Sequence, residues 1–204
     1  MDKPIKIGIT GGIGSGKSIV SDLIEKSGFA VIRSDLVAKE LMATDQKILG
    51  RIVKTFGKES VAGGKLNTHY LAGKVFNNKK NVELINSIVH PPVIRKINEM
   101  IESEFAKSKI VFVESALIFE AKIKDMFDYV VLIYTAKDLR IKRVIKRDKT
   151  NESDIISRMT YQIDDELKRD KVDFILENNS TLAELKIKVS FLLKLLNSIA
   201  SSSN

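Results

Sequence analysis

A glycine-rich stretch near the start of the chain carries the residues best suited to chemistry. It reads Gly11-Gly12-Ile13-Gly14-Ser15-Gly16-Lys17-Ser18 and fits the phosphate-loop pattern G-x-x-x-x-G-K-[ST]. Glycines let such a loop bend so that successive backbone N–H groups face one anion, and the following helix adds the positive end of its dipole. The lysine then reaches the outer phosphates, and the serine hydroxyl is suited to Mg²⁺.

This pattern predicts a site for the phosphate chain of a nucleotide such as ATP, together with Mg²⁺. The residues expected to contact the phosphates are Gly12, Ile13, Gly14, Ser15, Gly16, Lys17 and Ser18. A dinucleotide-binding fingerprint, G-x-G-x-x-G, is the nearest alternative, but Lys17 stands where the third glycine should be. The surroundings also favour a phosphate loop, because an apolar run at residues 5–10 precedes it and an amphipathic helical pattern follows it.

Two acidic residues lie at or just after the ends of apolar runs that we interpret as strands. Asp35 comes shortly after residues 29–32, and Glu114 closes the run at residues 110–113. In open parallel sheets, ligands bind at the carboxyl ends of the strands, so both carboxylates are candidates for the site. We expect Glu114 to orient Mg²⁺ or its water. The alternatives are structural: Asp35 could cap the next helix, and Glu114 could be a partly buried acid satisfied by local amides.

A strongly basic segment lies farther along the chain. Arg140, Arg143 and Arg147 recur at i, i+3 and i+7, and a second helical pattern carries Arg158 and Gln162. Like charges at this spacing repel one another, so the stripe is best explained by a visiting anion or by full solvation. Guanidinium groups suit a transferring phosphoryl group. We therefore expect a mobile lid in which Arg143 and Arg147 are catalytic, with a solvated basic hairpin as the alternative.

Apolar strands and amphipathic helices alternate along most of the chain. The strands are predicted at about residues 5–10, 29–32, 110–113, 128–134 and 172–176, with an amphipathic helix over 181–197 and a frayed tail at 201–204. The middle of the chain interrupts this alternation with a helix expected to run to about Phe76 and a long helical pattern over 79–107. We expect that pattern to break at His90-Pro91-Pro92, because proline lacks a backbone donor.

The composition constrains partners and location. The 204 residues are 44% hydrophobic, which is enough for one α/β domain with an insertion. The net charge of +8 fits a polyanionic substrate or nucleic acid, but acidic residues are interspersed and tryptophan is absent, which favours a small substrate. Cysteine is absent, and we find neither a secretory signal nor a long apolar run, so we expect a cytoplasmic protein that contacts no membrane and no nucleic acid.

Along nearly its whole length the sequence resembles the dephospho-coenzyme A kinase family. The shared features are the loop at 10–18, Asp35 with the helical segment 36–41, the isoleucine-rich helix ending in His90-Pro91, the segment 116–120, Arg147-Asp148 with Arg158 and Gln162, and the segment 172–179. The chain departs from the family pattern at Arg33, where an acid is frequent, at Thr68, where an arginine is common, and at Ala116, where proline is usual.

The resemblance implies ATP-dependent phosphorylation of the ribose 3′-hydroxyl of dephospho-CoA, the last step of coenzyme A synthesis. It implies an α/β fold of the P-loop nucleoside-monophosphate-kinase type, with a five-stranded parallel sheet flanked by helices. The chain, 1–204, would then be one kinase domain, monomeric or weakly homo-oligomeric. Its parts would be a core at about 1–45, 108–136 and 168–204, a helical substrate region at about 46–107 and a lid at about 137–167.

The resemblance also implies roles for single residues. Asp35 would be the base for the attacking hydroxyl, and Asn178 and Asn179 would lie near the adenine. The acceptor would contact Asp35, His90, Glu120 and Arg158. Two other functions stay open on the sequence. One is a different small-molecule kinase of the same fold, such as a nucleotide or shikimate kinase. The other is a non-catalytic nucleotide switch or a nucleic-acid-associated ATPase.

Overall fold

A computed structural model describes residues 4–75 and 78–202. The chain divides into two compact units. The sheet unit comprises Met1–Arg33 and Ile101–Asn204, and the helical unit comprises Ser34–Met100. The predicted division of one kinase domain into core, substrate region and lid stays a prediction.

The described residues form seven strands and eight α-helices. The strands are β1 (Ile5–Thr10), β2 (Ala30–Arg33), β3 (Val61–Ala62), β4 (Lys65–Leu66), β5 (Ile110–Glu114), β6 (Tyr129–Tyr134) and β7 (Phe174–Glu177). The α-helices are α1 (Lys17–Lys26), α2 (Ser34–Thr44), α3 (Gln46–Phe56), α4 (Thr68–Val75), α5 (Lys79–Phe105), α6 (Lys137–Asp148), α7 (Glu152–Met159) and α8 (Leu182–Ser202). In these described stretches, no helix has both the length and the apolar character needed to cross a membrane.

The sheet unit is built on a five-stranded parallel sheet with the order β2-β5-β1-β6-β7, which confirms the predicted fold class. Every residue of β5 is buried, as expected for a parallel strand that is covered on both faces. The central strand β1 lies between β5 and β6, and Ile9 is in register with Glu114. Because all five strands run the same way, their carboxyl ends share the edge from which the glycine-rich loop emerges.

A single apolar cluster holds α1 and α8 against this sheet. Ile7 and Ile9 of β1 are fully buried there, and Phe112 of β5 packs edge-to-face on Phe29 with ring centroids 5.7 Å apart. Burying each such side chain stabilises the fold by about 1.5–3 kcal/mol. The cluster therefore makes the strand before the loop and the helix after it one rigid support.

The helical unit contains more structure than the sequence predicts. α3 and the β3–β4 hairpin occupy a stretch for which the sequence pattern predicts no defined element. Asp45 caps α3, since its side chain accepts hydrogen bonds from the backbone N–H groups of Lys47 and Ile48. The hairpin turns at Gly63 and Gly64, whose φ angles of 58° and 76° suit glycine. The predicted end of the next helix at Phe76 lies outside the described residues.

The predicted break at His90-Pro91-Pro92 is wrong, because α5 runs through both prolines. The carbonyl that the missing N–H of Pro91 would have paired with belongs to Ser87, four residues earlier. That carbonyl accepts a hydrogen bond from Arg51 Nη2 of α3 at 3.5 Å. A side chain from a neighbouring helix thus replaces the lost backbone donor, which a reading of local sequence does not reveal. The tail also differs, since α8 extends through Ser202.

Candidate functional site

The glycine-rich loop joins the end of β1 to the start of α1. Gly14 and Gly16 have φ angles of 81° and 95°, in the left-handed region that favours glycine. Gly16 is the N-cap of α1, so the loop delivers its last residues directly to the positive end of a helix. A Cβ on Gly16 would also collide with the side-chain amide of Asn178. Both the conformation and the space around this position therefore require glycine.

Lys17 folds back over the loop. Its Nζ donates to the carbonyl oxygens of Gly11 at 2.7 Å and Gly12 at 3.3 Å. Both acceptors belong to the loop itself, so the ammonium group lies within the structure that is predicted to hold phosphate. A cation in this place can contact the outer phosphates of a bound nucleotide with only a small movement of its flexible stem.

The first half of the loop is held by the segment that follows α7. The backbone N–H of Gly12 donates to Asp165 Oδ2 at 2.9 Å, and that of Ile13 donates to Gln162 Oε1 at 2.9 Å. These two N–H groups, predicted to bind phosphate, therefore already have protein partners. The sequence pattern places Gln162 in the basic helical segment, but it does not indicate that Gln162 or Asp165 contacts the loop.

Asp165 belongs to a buried network of four charges. Arg140 Nη1 lies 3.1 Å from Asp165 Oδ2, and Lys168 Nζ lies 3.4 Å from Asp165 Oδ1. Lys168 Nζ also lies 3.3 Å from Glu120 Oε1, which accepts from the Ile163 backbone N–H at 2.7 Å. Two cations balance two carboxylates, so these side chains can be buried without a net charge.

Arg140 therefore differs from the other arginines of the predicted stripe. Its side chain is only 8% exposed and is paired with Asp165 beneath the loop, whereas that of Arg147 is 64% exposed. The expectation that Arg140 shares one anion-binding face with Arg143 and Arg147 is wrong for this residue. Helical periodicity shows which residues share a face but not what that face packs against.

The second half of the loop is held by Asn178, at the end of β7. Its Nδ2 donates to the carbonyl of Ser15 at 2.8 Å, and the hydroxyl of Thr135 lies 3.0 Å from the same oxygen. Arg143 Nη2 donates to the carbonyl of Asn178 at 2.9 Å. The neighbouring Asn179 accepts from the Ala136 backbone N–H at 2.9 Å. The asparagine pair thus joins the loop to the start of α6, a support that sequence reasoning missed.

Ser18 and Glu114, the two residues predicted to serve a metal ion, lie together. The Ser18 hydroxyl donates to Glu114 Oε1 at 3.0 Å. Glu114 Oε2 is buried and finds no hydrogen-bond partner within the described residues. Hydroxyl and carboxylate oxygens suit Mg²⁺, which in proteins is held by one or two carboxylates together with substrate phosphates. The described residues contain no cluster of three or more His, Cys, Asp or Glu that could hold a metal ion.

Arg33 stands beside this pair. Its guanidinium contacts Asp22 at 2.5 Å and Glu25 at 2.9 Å, and its Nε lies 3.4 Å from Glu114 Oε2. Burial acts to lower the pKa of Arg33, but the hydrogen bond to Glu25 and the three neighbouring carboxylates outweigh it and raise the pKa. A permanent cation therefore lies next to the candidate metal ligand, at the position where the chain departs from the family pattern.

Two predicted lid residues meet at the end of α6. Arg147 binds Asp148 through two hydrogen bonds, of 2.6 and 3.0 Å, which lower the pKa of Asp148 and raise that of Arg147. Arg158 Nη1 lies 3.8 Å from Asp148 Oδ2. Arg147 and Arg158 are thus brought together, while Arg143 contacts Thr135 and Asn178 at the other end of the helix.

The remaining predicted residues lie in the helical unit. α2 begins at Ser34, and Asp35 is an exposed residue in its first turn. His90 lies inside α5 and is half-buried, and burial lowers its pKa from the ordinary value of 6.5. The imidazole of His90 is therefore neutral at pH 7, able to donate one hydrogen bond and accept another.

Known proteins that resemble this chain in sequence or in fold include dephospho-CoA kinases. The family model for dephospho-CoA kinase matches residues 5–184. A dephospho-CoA kinase of Bacteroides fragilis is 34% identical over 203 residues, which is 98% of each chain. Among solved structures, the Thermus thermophilus protein TT1252 has a TM-score of 0.81 at 31% identity, covering 95% of this chain and 98% of its own. A dephospho-CoA kinase from Campylobacter jejuni has a TM-score of 0.71 at 29% identity, covering 98% of both.

Replacing Gly16 with alanine tests the role of the loop conformation. We expect Gly16→Ala to destabilise the fold and to weaken ATP binding at least tenfold, because the new Cβ displaces Asn178. Gly28→Ala is the matched control, since Gly28 has a φ of 90° but no described atom lies within 4 Å of its Cβ position. The control should lose about 1–2 kcal/mol of unfolding free energy and keep its ATP affinity. Calorimetric titration and urea unfolding measure both. Equal ATP affinity in the two variants would contradict this account.

The buried network gives a second prediction. Asp165→Asn and Lys168→Met each leave an unbalanced buried charge and should each cost about 3–5 kcal/mol of unfolding free energy. The double variant restores the balance, so its cost should be smaller than the sum of the two. The exposed pair Glu104 and Lys107 has the same spacing and distance, 3.4 Å, and removing it should cost less than about 1 kcal/mol. Additive losses for Asp165 and Lys168 in denaturant titrations would rule out the charge balance.

Proposed function

The chain belongs to the dephospho-CoA kinase family, and from that premise we propose how its residues divide the work of phosphoryl transfer. The enzyme transfers the γ-phosphoryl group of ATP to the ribose 3′-hydroxyl of dephospho-CoA, giving coenzyme A and ADP in the last step of coenzyme A synthesis. This membership decides between the expected acceptor and those of other small-molecule kinases. The observation that supports the proposal best is the Ser18–Glu114 pair at the start of the helix that follows the loop.

The donor half of the site is the glycine-rich loop. Because the N–H groups of Gly12 and Ile13 donate to protein side chains and that of Ser15 donates to the Gly12 carbonyl, we assign phosphate binding to the backbone N–H groups of Gly14, Gly16, Lys17 and Ser18. Lys17 neutralises the charge on the outer phosphates. Arg143 contacts the Asn178 carbonyl beside the loop, which favours a place along the nucleotide. Arg147, more exposed, is the arginine that reaches the γ-phosphoryl group.

Asp35 serves the acceptor. It accepts the proton of the ribose 3′-hydroxyl while that oxygen bonds to the γ-phosphorus and the bond from this phosphorus to the β–γ bridging oxygen breaks, so ADP leaves with the bonding pair. Phosphoryl transfer requires mainly positioning and charge stabilisation, and a carboxylate that orients the hydroxyl meets that need. Its place in the first turn of α2, just after β2, supports this role.

Mg²⁺ suits the oxygens of Ser18 and Glu114, and when bound it offsets charge on the phosphates. The Ser18 hydroxyl is the direct ligand in this proposal, and Glu114 orients the ion or its water. Arg33 holds Glu114 from the other side and limits the rotation of its carboxylate. The remaining hydrogen-bonding capacity of Glu114 Oε2 is consistent with a water ligand there.

Three further residues contact the acceptor in this proposal. The neutral imidazole of His90 makes hydrogen bonds rather than an ion pair. Arg158 offers a cation beside Arg147 through their shared neighbour Asp148. Glu120 uses Oε1 within the buried network. Its Oε2 is buried and has no hydrogen-bond partner in the described part of the chain, so we assign it to a hydrogen-bond donor group of dephospho-CoA.

The broader setting is also proposed. A cytoplasmic location agrees with the absence of cysteine from the sequence. Interspersed charges argue against a nucleic-acid partner. ATP and dephospho-CoA are the two small-molecule partners of the reaction.

Acceptor specificity tests the function directly. ADP release should depend on dephospho-CoA and remain at background with AMP or shikimate, and phosphorus NMR of the product should show a 3′-phosphomonoester. Comparable turnover of AMP or shikimate would overturn the assignment. Binding of ATP without transfer to any of the three acceptors would instead indicate a nucleotide switch.

Removing the proposed base gives a sharper prediction. Asp35→Asn should lower kcat by about 10²–10⁴-fold, because the amide cannot accept the proton. ATP affinity should be unchanged, since the donor half of the site is intact. Asp125→Asn, at another exposed aspartate, is the control and should keep full kcat. Steady-state kinetics with calorimetric ATP titration distinguishes the cases, and an unchanged kcat in Asp35→Asn would exclude the role.

The metal assignment predicts a change in Mg²⁺ dependence. Glu114→Gln should raise the Mg²⁺ concentration for half-maximal activity by about 10–100-fold. Glu99→Gln, at an exposed glutamate of α5, should leave that concentration unchanged. The measurement is initial rate against Mg²⁺ at saturating ATP and dephospho-CoA. A lower kcat with an unaltered Mg²⁺ dependence would place Glu114 outside the metal site.

A further inference from the structure

The last helix, α8, has two apolar faces. One face is buried in the core and consists of Leu185, Val189, Leu192, Leu193, Leu196 and Ala200. On the other side, Ile187 and Phe191 are each 69% exposed and Leu195 is 37% exposed. Their spacing of i, i+4 and i+8 places them in one row along about 12 Å of helix.

This row continues onto the sheet. β7 is the last strand in the sheet order, and Ile175 at its centre is 40% exposed. Ile175, Ile187, Phe191 and Leu195 together border a groove of about 390 Å³ between β7 and α8. We name these four residues the α8 stripe. Contiguous exposed apolar surface of this kind marks an interaction site more often than scattered apolar residues do.

Charges flank the α8 stripe in a pattern that is complementary to itself. Glu184 lies three residues before Ile187, and Lys194 lies three residues after Phe191. If a second copy of α8 runs antiparallel with the partner's Phe191 opposite Ile187, then the partner's Lys194 lies opposite Glu184. A twofold axis repeats both contacts, so one pairing satisfies two apolar and two ionic contacts. We propose that the α8 stripe is a self-association surface that pairs antiparallel with a second copy of this chain.

The same charges disfavour the neighbouring register. Placing Phe191 opposite the partner's Phe191 would bring Lys188 opposite the partner's Lys194, and the twofold axis would repeat this repulsion. Opposite charges thus stabilise one register while like charges destabilise the other, which is how natural helix pairs select their alignment.

The charge pattern also favours a second copy over an anionic lipid surface. A lipid surface would attract Lys188 and Lys194 but repel Glu184, whereas a second copy pairs Glu184 with a lysine. Two chains that each carry a net charge of +8 repel at long range, so their attraction comes from the short-range apolar and ionic contacts of this pairing. Added salt screens this long-range repulsion more than it screens charges in contact at the interface, so it strengthens the pairing, while it weakens binding to an anionic surface.

Sedimentation of the full chain at increasing concentration tests the proposal. We expect a reversible monomer–dimer equilibrium whose dimer fraction rises with concentration and with salt. Phe191→Asp should leave the chain monomeric with an unchanged Tm. Leu182→Asp is the matched control, because Leu182 is 52% exposed on the same helix but outside the α8 stripe, and it should dimerise as the wild type does.

A charge exchange tests the register. Glu184→Lys alone should dissociate the dimer, and adding Lys194→Glu in the same chain should restore it. Three results would overturn the proposal: a wild type that stays monomeric at millimolar concentration, a Phe191→Asp variant that still dimerises, or a double variant that stays dissociated. Binding of the monomer to phosphatidylglycerol vesicles that Phe191→Asp abolishes would also overturn it in favour of a membrane role. None of these readouts depends on kinase activity.

Discussion

The bracing of the glycine-rich loop is the constraint on which the rest of the structure depends. Glycines give the loop its path but also make it costly to order, so its backbone groups need fixed partners. Asp165 and Gln162 hold the N–H groups of Gly12 and Ile13, and Asn178 holds the carbonyl of Ser15. With both halves held, the backbone from Gly14 onward can meet a phosphate without reorganising, which is the condition for effective electrostatic stabilisation.

These braces explain why the sheet unit contains buried charges. Asp165 accepts from the loop while almost fully buried, and the cations of Arg140 and Lys168 beside it make that burial tolerable. Lys168 in turn requires Glu120, so one contact to the loop fixes the positions of α6, of the segment after α7 and of the segment after β5. The network therefore links the donor site to the helices proposed as a lid.

The sequence predicts the features that depend on local residue patterns, and it misses those that depend on contacts between residues far apart in the chain. The five strands of the sheet, the loop and the Ser18–Glu114 pair follow from apolar runs and from the rule that parallel strands end at one edge. The same kind of pattern predicts the environment of Arg140 wrongly, because Arg140 is buried by its pairing with Asp165, 25 residues away. The uninterrupted α5 similarly depends on Arg51 from another helix. The adenine role expected for Asn178 stays a prediction, while its contact with Ser15, which the sequence does not indicate, spans 163 residues of chain.

Amide hydrogen exchange across the loop tests the bracing most directly. If the braces preform the loop, the N–H groups of Gly12 and Ile13 exchange slowly in the nucleotide-free protein and change little when ATP binds. The N–H groups of Gly14, Gly16, Lys17 and Ser18 should exchange faster and become protected on binding. Fast exchange at Gly12 and Ile13 that slows only with ATP would contradict the account, because the nucleotide rather than Asp165 and Gln162 would then be ordering the loop.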